Sequence, residues 1–367
     1  MKYYCNNCKK YWNYPVDRCI FCGGSIEQSE DSMCQVIGYT KVHTPSSCNQ
    51  TVPYYVYLLE DEKGLRFIQK SPKKYEIGEI FALSGENTFK KRKVGIVGTG
   101  LMGSQISEFL ILQGYNIVVK TRNKSSREEF LSKIKKKISK QLKEAEIQIY
   151  LNNLQIIFEY SDLSDCDIII DASIEDITVK KEVFQALGEI CDDNTILATN
   201  TSSIPIKDIS SVTDRAENCI GMHFFNPVKK MDLVEIVVGE NTSEKTKDKV
   251  IEFTRELGKK PIVVKDSPGF VVNRLLLPQI NEAIHLFERG IATKEDIDSA
   301  IKLGLNHPMG PFELADFIGL DVCLSILEIL HNDFENESSK PAKLLYKMVK
   351  DGNLGYKSGK GFYNYGD

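Results

Sequence analysis

"KVGIVGTGLMGSQ", residues 93–105, is the stretch on which the fold turns. After Lys93 the apolar, partly β-branched residues Val94 to Val97 run into Gly98-x-Gly100-x-x-Gly103, and an apolar segment with helical spacing follows. A strand that breaks on three such glycines into a helix forms the cradle of a dinucleotide. Gly98 permits the tight turn, Gly100 lets backbone approach a pyrophosphate, and Gly103 lets the helix pack closely against the strand. The helix N-terminus, with Leu101 and Met102 as its first residues, adds amide donors and a partial positive charge. The spacing predicts a helix over 101–113 and cofactor-binding positions at Gly98, Gly100, Leu101, Met102 and Gly103.

Working outward, the apolar runs "NIVVK", "LQIIFE", "DIIIDAS", "TILATN", "CIGMHFF", "DLVEIV" and "PIVVK" alternate with helical segments, including a lysine-rich helix near 126–145. Such strands read as a parallel sheet covered on both faces. After "DSPGF" the strand signals stop, and 269–367 reads as almost wholly helical. In the other direction, the polar "SGENTFKKRK" (84–93) is a linker. Before it, "CQVIGYTKVH", "PYYVYLLED", "LRFIQK" and "EIGEIFAL" read as the short strands of a small barrel. Cys5, Cys8, Cys19 and Cys22 spell C-x2-C-x10-C-x2-C, the spacing of a zinc ribbon. Four thiolates suit tetrahedral zinc and leave no open position for catalysis, so the metal is expected to be structural. The expected fold is an α/β Rossmann domain (89–268) with a C-terminal all-α domain (269–367), preceded by a zinc ribbon (1–24) and an OB-like β-barrel (25–88).

Composition limits the function. A net charge of −4 over 367 residues argues against nucleic-acid binding through overall basicity. OB-like barrels also bind single strands through exposed aromatics, and Tyr54, Tyr55, Tyr57 and Phe67 are the residues to consider, although packing between strands accounts for them better. No signal core opens the sequence, and no apolar run reaches the roughly 18 residues of a membrane span, so a cytoplasmic protein is expected. The six cysteines outside the CxxC pairs lie scattered in apolar segments, as in a reducing compartment.

The second strand ends in "VVKTRN". An Asp or Glu here would accept hydrogen bonds from a ribose 2′-hydroxyl, but Thr121 stands in that place, 18 residues beyond Gly103, and Arg122 follows. Nothing repels a 2′-phosphate, and a guanidinium can grip one with two hydrogen bonds. The expected cofactor is therefore NADP(H) in preference to NAD(H).

"NTSS" (200–203), "GMHFFNPV" (221–228), "DLVEIV" (232–237), "DSPGFVVNR" (266–274) and "GPFELADFIGLD" (310–321) stand in the order and spacing of one family's signatures. Over residues 93–367 the chain resembles the 3-hydroxyacyl-CoA dehydrogenases. The resemblance implies His223 as catalytic base, Glu235 as its partner, and Ser202 and Asn273 in the substrate pocket. It also implies that Glu175 and Lys180 of "DASIEDITVK" approach the nicotinamide side of the cofactor. It further implies a coenzyme A contact by the lysine-rich helix (Lys133, Lys135, Lys136, Lys137, Lys140, Lys143) and a homodimer formed through the helical domain, for which "FELADFIGLDVCLSILEIL" offers an apolar stripe. The first 85 or so residues are similar to the zinc ribbon and OB-fold proteins that bind acyl-CoA beside thiolases, which implies a thiolase partner.

Residue chemistry supports the first assignment separately. Oxidising a secondary alcohol needs a base that takes the hydroxyl proton as hydride leaves carbon, and imidazole suits that exchange. His223 is one of five histidines, placed near the end of an apolar strand where open α/β sheets hold their ligands. Glu235 on the following strand can fix the ring's tautomer. The expected reaction is reversible hydride transfer at C3 of a short-chain (3S)-3-hydroxyacyl-CoA. Two other readings are a dehydrogenase of free hydroxy or sugar acids and a non-catalytic acyl-CoA-binding adaptor. The intact set of four polar residues speaks against the adaptor.

Overall fold

A computed structural model describes residues 2–5, 7, 11–12, 22, 26–29, 33–42, 54–61, 66–71, 74–82, 92–140, 144–334 and 337–366. Two compact units are present: Met1–Lys93 with Glu252–Lys260, and Val94–Ile251 with Pro261–Asp367.

The first unit contains a three-stranded antiparallel sheet of β1 (Lys2–Cys5), β2 (Tyr11–Trp12) and β3 (Ile26–Ser29), in the order β2-β1-β3. Of the expected zinc ligands, Cys5 closes β1 and Cys22 is exposed, while Cys8 and Cys19 lie outside the described residues. Strands β4 (Met33–Val42), β5 (Tyr54–Asp61), β6 (Arg66–Ser71) and β7 (Ile80–Ala82) form a second antiparallel sheet, in the order β6-β5-β4-β7. The expected barrel is thus, in the described residues, an open four-stranded sheet. Tyr57 is buried with Val36 and Leu59, its ring 5.4 Å from Tyr75 and its hydroxyl accepting the Tyr75 amide at 2.8 Å. Its role is packing.

An eight-stranded sheet, which apart from Lys93 and Lys260 lies in the second unit, runs in the order β10-β9-β8-β11-β12-β13-β14-β15. The elements are β8 (Lys93–Val97), α1 (Leu101–Leu112), β9 (Asn116–Lys120), α2 (Lys124–Ile138), α3 (Glu144–Leu151), β10 (Leu154–Ile157), β11 (Ile168–Asp171), α4 (Ile177–Ile190), β12 (Ile196–Thr199), α5 (Ile206–Ser210), β13 (Cys219–Phe224), β14 (Leu233–Val238), α6 (Glu244–Glu256) and β15 (Lys260–Lys265). Val94, Ile96, Ile168, Ile170, Leu197 and Ile220 are buried, as strands covered on both faces require.

Two expectations are corrected. The sheet is not parallel throughout, because β14 runs antiparallel to β13. A parallel neighbour needs a crossover of about a dozen residues or more, and the short connection 225–232 permits only a hairpin. Second, the lysine-rich helix ends at Ile138, and α3 is separate. Phe130, Ile134 and Ile138 are the buried positions of α2, and the apolar spacing stops with them. Asn123 starts this helix by accepting the Ser126 amide at 2.9 Å. Lys143 lies outside the described residues.

The helical part comprises α7 (Val272–Glu288), α8 (Lys294–Leu305), α9 (Pro311–Ile318), α10 (Leu320–Phe334) and α11 (Lys343–Lys350). Its core gathers Leu277, Ile280, Ile284, Phe312, Ala315, Leu320, Cys323, Leu327 and Leu330. The apolar stripe offered as a dimer interface is therefore spent largely inside one chain. Two buried carboxylates tie down residues 362–365. Asp316 accepts the amides of Phe362 (2.9 Å) and Tyr363 (2.8 Å) and the Tyr365 hydroxyl (3.0 Å), and Asp298 accepts the Tyr363 hydroxyl at 2.9 Å. Among the described residues no helix is long and apolar enough to cross a membrane.

Candidate active site

The glycine turn lies at the end of β8, and the space around each glycine shows what it is for. A Cβ on Gly98 (φ +104°) would come within 2.5 Å of the Ala172 carbonyl oxygen, and one on Gly103 within 2.1 Å of the Gly98 oxygen. Both positions are closed to side chains by backbone packing. At Gly100 a Cβ would meet nothing within 4 Å, so clear space lies before the N-terminus of α1. Open space flanked by a helix start fits a pyrophosphate. Leu101 is exposed and Met102 half-buried at that start.

At the end of β9, Thr121 turns inward. It is buried, its amide donates to the Ile157 carbonyl at 2.9 Å, and its hydroxyl is 3.4 Å from the Asn123 carbonyl. Lys120 Nζ lies 4.1 Å from the centre of the Tyr160 ring, and burial lowers its pKa. Arg122, next in the chain, is exposed.

The short β13–β14 hairpin puts His223 directly opposite Glu235. His223 Nδ1 and Glu235 Oε2 are 2.8 Å apart, and both residues are buried. The other carboxylate oxygen, Oε1, accepts the amides of Val271 (3.1 Å) and Val272 (2.9 Å) at the start of α7. Burial alone would raise the Glu235 pKa. The hydrogen bonds from His223 and the two amides, with the positive charge the imidazole carries when protonated, outweigh it and hold the carboxyl below its ordinary value. An ionised carboxylate only accepts, so Nδ1 carries a proton, and in the neutral ring that leaves the lone pair on Nε2. The Phe225 and Phe270 rings border the imidazole at 4.6 and 5.5 Å between centroids.

Asn273, in the first turn of α7, directs Nδ2 to the Ser202 carbonyl at 3.5 Å. His223, Glu235, Asn273 and Ser202 are thereby joined through a single helix start. Lys180 is not a surface lysine, since it is buried and bonded to Asp171 at 2.9 Å. Glu175 reaches the turn that carries Ser202, its Oε1 accepting the Ser202 amide at 2.7 Å.

Sequence reasoning passed over three residues. Asn200 Oδ1 accepts the Phe224 amide at 2.8 Å and pins the end of β13. Gln105 clamps the following loop, donating to Asn226 Oδ1 at 2.7 Å and accepting the Val228 amide at 2.8 Å, around the cis Asn226–Pro227 bond. Asp171 is the buried partner of Lys180. Gln105 shares "LMGSQISEFLIL" with Ser104, Ser107 and Glu108, so nothing in the local sequence sets it apart. Among the described residues, no three His, Cys, Asp or Glu side chains converge as metal ligands.

Residues 93–267 match the family model described as "3-hydroxyacyl-CoA dehydrogenase, NAD binding domain", and 269–365 match "3-hydroxyacyl-CoA dehydrogenase, C-terminal domain". The chain is 44% identical over 279 residues to a 3-hydroxybutyryl-CoA dehydrogenase of Clostridioides difficile, an alignment covering 74% of this chain and 99% of that one. It is 40% identical over 287 residues to the human mitochondrial hydroxyacyl-coenzyme A dehydrogenase, covering 75% and 91%. The crystal structure of the (S)-3-hydroxybutyryl-CoA dehydrogenase of Ralstonia eutropha matches with a TM-score of 0.71 at 41% identity, covering 75% of this chain and 99% of that one.

Proposed function

The chain belongs to the 3-hydroxyacyl-CoA dehydrogenase family, and from that premise we propose that it interconverts short-chain (3S)-3-hydroxyacyl-CoA and 3-oxoacyl-CoA, using NADP(H) in preference to NAD(H). The observation that carries the reading is the buried His223–Glu235 pair with the amides of α7 on the far oxygen. When bound, the nicotinamide supplies the hydride acceptor for oxidation and the donor for reduction. His223 Nε2 takes the proton of the 3-hydroxyl in one direction and returns it in the other. Glu235 stabilises the imidazolium that forms, while Ser202 and Asn273 orient the substrate oxygen. Phe225 and Phe270 keep water from the ring. The exposed Lys133, Lys135 and Lys136 of α2 offer a cationic face for the phosphates of coenzyme A.

The cofactor preference rests on Arg122 and on the missing carboxylate at 121. Acetoacetyl-CoA supplied with NADPH or with NADH, and followed by the fall in nicotinamide absorbance, should be reduced faster with NADPH. Consumption of NADH alone would overturn the reading of Arg122, and consumption of neither would overturn the activity.

Structural zinc held by Cys5, Cys8, Cys19 and Cys22 is supported by the chemistry of four thiolates and by the small antiparallel sheet that β1 shares with β2 and β3. Metal analysis of the purified full chain should find one zinc per chain. Cys8→Ser with Cys19→Ser should lose the metal and still reduce acetoacetyl-CoA; a parent protein without zinc would sink this part of the proposal.

A further inference from the structure

The geometry points to Glu175 as a positioning residue for the acyl-substrate side of the site, acting through the Thr201–Ser203 turn; this rests on the dehydrogenase reading above. Glu175 lies between β11 and α4, and its Oε1 collects four donors. They are the Thr201 hydroxyl (2.6 Å), the Ser202 amide (2.7 Å), the Ser203 amide (3.0 Å) and the Ser203 hydroxyl (3.1 Å). A neutral amide oxygen has two lone pairs and is a poor centre for so many donors, whereas an ionised carboxylate suits them. The turn after β12 is thus built around one negative charge, much as a backbone nest is built around an anion.

What stands behind Glu175 is also fixed. Its other oxygen, Oε2, is 3.6 Å from Lys180 Nζ. That ammonium is buried and held by Asp171 at 2.9 Å. Asp171 in turn accepts the Thr199 hydroxyl and the Ser173 amide, each at 2.9 Å, at the ends of β12 and β11. Moving the lysine would leave a buried carboxylate uncompensated, so it acts as a fixed positive charge beside Glu175.

The consequence falls on Ser202. Its amide is occupied by Glu175, which leaves the hydroxyl as the group this residue can offer a substrate oxygen. Among the described residues nothing holds that hydroxyl, so the backbone of the turn aims it. Glu175 fixes that backbone from one side, and Asn273 Nδ2 meets the Ser202 carbonyl at 3.5 Å. Such a role differs from a direct cofactor contact and makes different demands on the kinetics.

A double-mutant cycle on the full chain separates the two. Glu175→Ala should lower kcat/KM for acetoacetyl-CoA about 10- to 100-fold at saturating cofactor, the range set by hydrogen bonds to a charged group. The dissociation constant of the reduced cofactor, read by nicotinamide fluorescence without acyl substrate, should not move. In a Ser202→Ala background the same step should cost far less, because the hydroxyl it aims is gone. Glu175→Gln, which keeps the shape and removes the charge, runs through the same cycle and carries the test if the alanine variant does not fold. Equal losses in both backgrounds, or a loss traced entirely to weaker cofactor binding, would overturn the proposal. If the parent protein fails to turn over acetoacetyl-CoA, the activity itself falls and this role with it.

Discussion

His223→Gln should lower kcat for acetoacetyl-CoA reduction about 10²- to 10⁴-fold, the usual worth of a positioned acid–base group. Glutamine can fill much of the imidazole's volume and still bond to Glu235, but its amide cannot exchange a proton near neutral pH. The site around it should survive, because Glu235 keeps its two α7 amides and the glycine turn is untouched. Cofactor affinity should therefore stay near that of the parent, and circular dichroism should report an intact fold. Undiminished turnover in a folded variant would remove His223 from the mechanism.

Glu235→Gln is expected to cost a similar factor, about 10²- to 10⁴-fold in kcat, by a different route. The carboxylate faces donors on both sides, His223 Nδ1–H on one oxygen and two amides on the other. A glutamine has one oxygen and one NH2 to set against them. With its oxygen toward α7, the NH2 donates to Nδ1, and the ring proton is forced onto Nε2, where a base needs a lone pair. With the amide reversed, the NH2 confronts the two N–H groups and leaves buried donors unmet, at about 1–3 kcal/mol. Because its folded pKa lies below the ordinary carboxylate value, Glu235 contributes stability that is fully present above the unfolded pKa and is lost as pH falls through the folded one. The melting temperatures of parent and variant should thus differ most near neutral pH and converge on acidification. A gap that widens in acid, or a variant with parental kcat, would contradict this account of the pair.

The glycine turn, the alternation of strands and helices, and the His223–Glu235 pairing were legible because each depends on local spacing or on neighbouring strands. What escaped depends on partners far apart in the chain. Gln105 clamps Asn226 and Val228, more than a hundred positions away, and no local pattern announces that. The resemblance of its segment implied a cofactor-side place for Glu175, and its hydrogen bonds to the turn after the next strand reach residues 26 to 28 positions away. Thr121 was correctly placed at the strand end, but sequence could not tell that its side chain points inward and leaves the exposed position to Arg122. The direction of β14 was within reach, since 225–232 is too short for a crossover. The stripe at 312–330 fits a domain core and a dimer interface equally well, and burial assigns most of it to the core.

The anchoring of residues 362–365 on Asp316 and Asp298 bears on how this protein can be produced. A stop codon at Phe362 would delete every donor that Asp316 receives from that stretch, and the Tyr363 hydroxyl on Asp298 as well. Two carboxylates buried in the helical core would lose partners, at a cost of about 1–3 kcal/mol for each group left unmet. A tag at this end therefore needs a spacer that begins beyond Tyr365, and trimming back to the last helix would unpick the core rather than tidy an end.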